Sequence, residues 1–196
     1  RYKCRYKRSF TPAQMREVAG VYRKELERRG IQPTNDPQEQ LETAIAQVMH
    51  SWNSKKAKTY REIMGISENW GTAVTVQAMI YGNLDMNSGA GVVFTHNPRK
   101  PGDRVHLWGD FTLGNQGEDV VAGLVKPLPI SEEQRYAEER EGEISLEAEF
   151  PEIFRQLQEI AVKLSHDRGW GPQEIEFAFQ NTTDRGLFIL QARDMQ

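Results

Sequence analysis

Four residues near the end of the chain are of the types that hold a metal ion and a phosphate: Glu174, Glu176, Gln191 and Arg193. Ile175-Glu176-Phe177-Ala178-Phe179 alternates in polarity, Leu187–Arg193 is apolar until its final residues, and Asn181–Gly186 between them carries turn residues. If Thr183-Asp184 centres a hairpin, Gln180 faces Leu187, Glu176 faces Gln191 and Glu174 faces Arg193. Side chains two apart share a face, and cross-strand partners point the same way. The four polar residues then form one cluster, with Phe177, Phe179, Phe188 and Leu190 on the opposite face. A slip of one residue would bury the charges, which is costly. Two readings stand: an edge hairpin with cross-strand salt bridges, or a Mg2+ site with Arg193 on a phosphate.

A second stretch, Gly109–Gly123, combines a strand end (Trp108 to Leu113) with a glycine-rich loop (Gly114, Asn115, Gln116, Gly117). The acidic pair Glu118–Asp119 follows, then Val120–Val121. Glycines let backbone N–H groups approach an anion, and adjacent carboxylates suit a hard divalent cation. The alternative is a turn with a solvated acidic rim.

The elements that must position these residues divide the chain in two. Residues 10–65 read as helical. Thr11-Pro12, Asp36-Pro37 and Ser54 are start signals, and Gly30 and Gly65 are stops. Met15, Val18, Ala19, Tyr22 and Leu26 mark one apolar face, and Leu41, Ile45, Val48 and Trp52 another. Ala57, Tyr60 and Met64 are expected to point inward. After a linker at 66–70 the composition turns β-branched, and strands are expected over 72–81, 89–95, 104–112, 175–180 and 186–192. The acidic stretch Ser131–Glu149 reads as an exposed, partly helical excursion with a solvated face. Pro151 opens an amphipathic helix carrying Phe154, Leu157, Ile160, Ala161 and Leu164. The expected organisation is a helical segment over 1–68 and an α+β segment over 69–196, with a mostly antiparallel sheet and packed helices. His50, His96, His106 and His166 are read as structural or surface residues.

The 196 residues carry a net charge of -3, which supplies no global basic field for nucleic acid. Tyr2 and Tyr6 among the basic residues of 1–9 read as a solvated terminus. A single cysteine, Cys4, excludes a disulfide framework and a cysteine zinc site and suits a reducing cytoplasm. No apolar run approaches membrane-spanning length, so no membrane partner is expected. The start Arg-Tyr-Lys-Cys and the end at Gln196 suggest a piece of a longer polypeptide.

Several motifs in order carry a resemblance: Gly71-Thr72-Ala73-Val74-Thr75-Val76-Gln77-Ala78-Met79, Gly82-Asn83, Ser88-Gly89-Ala90-Gly91-Val92-Val93-Phe94-Thr95-His96-Asn97-Pro98, Asn115-Gln116-Gly117-Glu118-Asp119-Val120-Val121-Ala122-Gly123, Glu176-Phe177 and Leu190-Gln191-Ala192-Arg193. Together they resemble the nucleotide-binding domain of the pyruvate phosphate dikinase family, over residues 35–196. The resemblance implies an ATP-grasp fold that binds Mg-ATP and passes a phosphoryl group to a histidine on a separate swivelling domain. A third domain then uses that phosphohistidine to phosphorylate pyruvate. The sum interconverts ATP, phosphate and pyruvate with AMP, diphosphate and phosphoenolpyruvate.

By motif, Glu174 and Glu176 hold Mg2+ with Gln191 nearby, and Arg193 contacts the terminal phosphates. Asp110, Glu118 and Asp119, with Gln116 in the same loop, lie around the ribose and metal. Gln77 and Met79 lie beside the adenine. The resemblance also implies a homodimeric parent that carries the phosphohistidine and pyruvate/phosphoenolpyruvate domains. Asp110 stands where Glu is usual, and Glu174 where Asp is usual. The family's phosphate-binding Lys and Arg fall before the residues present, so the isolated fragment is expected to be inactive. Phosphoenolpyruvate synthase usually carries Gly-Leu-Gly-Glu where this chain has Asn-Gln-Gly-Glu-Asp, which favours the dikinase. Another phosphohistidine dikinase, or a stand-alone nucleotide-binding module, is the alternative.

Overall fold

The computed structural model describes residues 10–100, 102, 104–115, 125–180 and 186–195. The chain falls into two units, Arg1–Ala78 and Met79–Gln196.

The first unit is built from helices α1 (Pro12–Arg28), α2 (Pro37–Ser51) and α3 (Lys55–Met64). Each starts on a side-chain cap, because the first N–H groups of a helix have no internal partner. Thr11 accepts from Gln14 N while the Gln14 side chain returns to the Thr11 N–H, closing a capping box. Asp36 caps α2 and Ser54 caps α3. Gly65, with φ of 65°, ends α3 in the left-handed region. The apolar faces read from the sequence form, but they are not a core. Among the described residues of these three helices only Arg61 is buried, whereas Tyr60 and Met64, expected inward, are both 57% exposed. Helical spacing specifies a face, not the element that covers it.

Arg61 is the organising residue of this unit. Its guanidinium lies 3.9 Å from the Trp52 ring centroid, donates to the Trp52 carbonyl at 2.7 Å, and grips Glu68 with two bonds of 3.0 and 2.7 Å. It thereby ties the end of α2 to α3 and to the turn after it.

The second unit is a five-stranded antiparallel sheet, as described, in the order β3-β2-β1-β4-β5. The strands are β1 (Gly89–Phe94), β2 (Trp108–Leu113), β3 (Leu128–Pro129), β4 (Gln173–Phe179) and β5 (Leu187–Asp194). Helices α4 (Glu132–Ala137), α5 (Leu146–Glu149) and α6 (Pro151–Val162) follow β3, and α6 runs into a π-helical turn at Lys163–Asp167. One sheet face is the core. Val93, Phe111, Ile175, Phe177 and Phe179 are at most 1% exposed and pack with Ile153, Leu157 and Ala161 of α6. Phe150, just before α6, meets Phe179 at 5.0 Å and Phe111 edge-on at 6.4 Å.

Two expectations fail. Residues 72–81 make no strand: Val76 and Met79 are 65% and 67% exposed, and the segment joins no ladder among the described residues. Strand propensity measures fit against neighbours, so a β-branched run without them stays irregular. Ser131–Glu149 is no solvated excursion either. Leu146 is fully buried, and Gln134, 1% exposed, accepts from the N–H groups of Gly109 and Ile130. Its acidic composition hid these few anchoring residues.

Gly109 has φ of 148°, and a Cβ there would lie 2.2 Å from the Val92 carbonyl oxygen. Gly109→Ala should therefore cost about 1–3 kcal/mol, read as a shifted urea midpoint. In the helical unit Arg61→Ala should cost about 2–3 kcal/mol through lost charged hydrogen bonds and ring contact. Helical circular dichroism through a thermal melt tests it, and an unchanged melt would remove Arg61 from this role.

Candidate functional site

The alternation of β4 decides where its carboxylates go. Ile175 and Phe177 are buried in the core, so Glu174 and Glu176 are turned to the other face, where both are half-buried. The register places Glu174 opposite Arg193 and Glu176 opposite Gln191, the pairing expected from the sequence. Arg193 donates to Glu174 at 2.6 Å, and that bond, with the charges of Glu174 and Glu176, holds it protonated. Glu176 and Gln191 have no side-chain hydrogen-bond partner among the described residues.

Between Glu176 and Phe177 the register shifts: Glu176 pairs with Gln191 but Phe177 with Ile189, so Leu190 is the extra residue of a bulge. Beyond it the expected pairing is corrected by one. Phe179, not Gln180, faces Leu187, and Phe188 faces Ala178, so Phe188 leaves the face of Phe177 and Phe179. Leu187 instead packs against the core.

Across the sheet the ladders join residues far apart in sequence. Val92 of β1 pairs with Asp110 on one side and Glu176 on the other, so Asp110, Val92, Glu176 and Gln191 form one cross-strand row on the non-core face. Trp108, Phe94, Glu174 and Arg193 form a neighbouring row. Asp110 is half-buried and receives a 3.1 Å bond from Arg140. Burial pushes its carboxyl above the ordinary value of 3.8, against the pull of Arg140.

Arg140 was not visible as a site residue, because it stands in the run Glu138-Glu139-Arg140-Glu141-Gly142-Glu143, which reads as solvated. It also donates to Glu138 at 3.0 Å, to Glu143 at 2.7 Å and to the Pro127 carbonyl at 2.5 Å.

Asn115, at the base of the glycine-rich loop, is buried and donates to Thr112 Oγ1 and to the Leu113 carbonyl. Gln116, Glu118 and Asp119 lie outside the described residues. Gln77 is exposed in the first unit, and Met79 is exposed at the start of the second. The described residues contain no group of three or more His, Cys, Asp or Glu that could hold a metal ion. His96 is buried and bonded through Nδ1 to Thr95 Oγ1 at 2.8 Å, and His106 Nδ1 lies 3.1 Å from Glu133. No helix among the described residues is long and apolar enough to cross a membrane.

Asp110 makes a testable statement about pH. A raised value means that the folded protein binds this proton more tightly than the unfolded chain. Its contribution to stability is therefore present below pH 3.8 and lost as pH rises through the raised value. Relative to Asp110→Asn, the wild type should lose stability as pH climbs above 3.8, opposite to the trend of a salt-bridged carboxylate. Urea unfolding of both proteins across this range measures the difference, and parallel curves would contradict it.

Comparison with known proteins identifies the family. Residues 15–138 match the family described as pyruvate phosphate dikinase, AMP/ATP-binding domain. Pyruvate, phosphate dikinase of Rickettsia felis is 43% identical over 159 residues, 81% of this chain and 16% of that protein. The Rhizobium meliloti protein of the same name is 42% identical over 187 residues, 94% of this chain and 20% of its own length. Pyruvate, phosphate dikinase 1, chloroplastic, of Zea mays is 36% identical over 163 residues, 82% and 17% of the two chains. The chain thus spans a fifth or less of these relatives, and it belongs to the pyruvate phosphate dikinase AMP/ATP-binding domain family.

Proposed function

We propose that this chain is the Mg-ATP-binding part of a pyruvate, phosphate dikinase, an ATP-grasp module that delivers a phosphoryl group from ATP to a histidine on another domain of the parent. The observation that carries the reading is the row Asp110–Val92–Glu176–Gln191 with the Glu174–Arg193 pair beside it. The resemblance assigns Glu174 and Glu176 to the metal with Gln191 nearby, Arg193 to the phosphates and Asp110 to the surroundings of the ribose and metal, and in the sheet these residues share one face.

Glu174, Glu176 and the Gln191 amide offer the hard oxygen donors that Mg2+ takes, and the Glu176 carboxylate has no competing hydrogen bond among the described residues. When bound, the metal neutralises phosphate oxygens. The protein's own work is positioning and charge. Arg193 is exposed and, among the described residues, tied only to Glu174, so its planar fork can turn to a phosphate as charge develops there. Asp110 lies at the other end of the row, and the motif assigns it to the surroundings of the ribose and metal. The adenine-side assignment of Gln77 and Met79, and those of Gln116, Glu118 and Asp119, rest on the motif match alone. A homodimeric parent, and a cytoplasmic setting that suits the single cysteine, belong to the same reading.

The parent enzyme's two half-reactions test this. Arg193→Lys keeps charge but loses the fork, and Glu176→Gln keeps shape but loses a metal charge. Each should slow phosphorylation of the histidine domain by ATP about a hundredfold, with the pair less than additive. Exchange between phosphohistidine and pyruvate should be untouched. Loss of that exchange, or an unimpaired ATP half-reaction in both variants, would place these residues elsewhere. Calorimetry on the isolated chain should find about millimolar Mg-ATP affinity, on the order of -4 kcal/mol; micromolar affinity would favour a complete stand-alone module.

A further inference from the structure

We propose that Arg140 is a positioning residue for Asp110: it fixes the orientation and charge of that carboxylate at the end of the polar row and so sets how the row receives a nucleotide. The inference rests on the reading of this face as a nucleotide site and adds a residue that neither the motif nor the family match singles out.

The geometry is specific. Asp110 lies on β2, paired with Val92 on one side and with Pro129 of β3 on the other. Neither neighbour can hydrogen-bond its carboxylate through a side chain. The only side-chain donor that reaches Asp110 among the described residues is Arg140 Nη1, at 3.1 Å. Arg140 cannot swing away freely, because its other bonds are committed. Nε is held by Glu143, Nη1 is shared with Glu138, and Nη2 is held by the Pro127 carbonyl. Glu138 and Glu143 are in turn held by Arg99 at 3.1 Å and by Lys126. The guanidinium is thus fixed by surrounding acceptors and presents one N–H edge to Asp110, a rigid fork that lysine does not provide.

Among the described residues the charged groups around Asp110 are therefore Arg140, Glu138 and Glu143, with Glu176 two strands away in the row. Without Arg140, two glutamates and partial burial would face Asp110 with no cation in contact. Its carboxyl would take up a proton at higher pH and rotate without a fixed partner.

The experiment has a nucleotide-free arm and a nucleotide arm, both on the 196-residue chain. Carbon-13 NMR of the Asp110 carboxyl should show its titration moving to higher pH in Arg140→Gln and returning most of the way in Arg140→Lys. ATP titration followed by NMR should then show Arg140→Gln weakening binding about tenfold, more at mildly acid pH than at high pH. The same change in an Asp110→Asn background should cost nothing further. An unmoved Asp110 titration in Arg140→Gln overturns the proposal alone. So does a loss of binding that persists undiminished in the Asp110→Asn background, because Arg140 would then be acting by another route. If Asp110→Asn itself leaves ATP affinity unchanged, the nucleotide reading of Asp110 falls, and the proposal falls with it. Thermal melts of each variant separate these readouts from unfolding.

Discussion

The alternation of β4 is the constraint on which the rest of the second unit depends. Ile175, Phe177 and Phe179 are sealed against α6 at 1% exposure or less, and burying each such side chain contributes about 1.5–3 kcal/mol. A strand with period two cannot bury those residues without presenting Glu174 and Glu176 on its other side. The polar face is therefore imposed by the core. The ladders to β1 and β2 extend the same logic, turning Asp110 to the side of Glu176 although 66 positions separate them.

That face is balanced rather than preloaded. Arg193 and Glu174 neutralise one another, and Arg140, Arg99 and Lys126 together offset Asp110, Glu138 and Glu143. Glu176 is left with charge but no hydrogen bond among the described residues. In the proposed site a cation drawn to Glu174 and Glu176 would compete directly with Arg193, and releasing Arg193 would free a donor for an anion brought with that cation. Exposed ion pairs contribute little to stability, so the exchange carries a small cost.

Much of this was legible in the residues, for identifiable reasons. Helix starts follow from local chemistry, and Thr11, Asp36 and Ser54 each cap as their types require. The pairings Glu174 with Arg193 and Glu176 with Gln191 followed from polarity alternation and a turn centred at Thr183-Asp184. What was hidden depends on partners distant in sequence. Residues 72–81 have strand-like composition but join no ladder among the described residues. Ser131–Glu149 looks solvated by composition, yet it buries Gln134 and Leu146 and brings Arg140 onto Asp110. In the helical unit a basic residue, Arg61, is buried while the apolar stripes beside it are not, because a ring, a carbonyl and a carboxylate converge on it.

The extra residue at Leu190 has a consequence for how the hairpin can change. On its open side the strands are matched for charge, and on its turn side for packing. With one extra residue between them, the two halves keep separate alignments, like two zips sharing a single tape. A slip in the pairing of Phe177–Phe179 with Leu187–Ile189 therefore need not reach Glu174 and Arg193, and the polar end keeps its own phase.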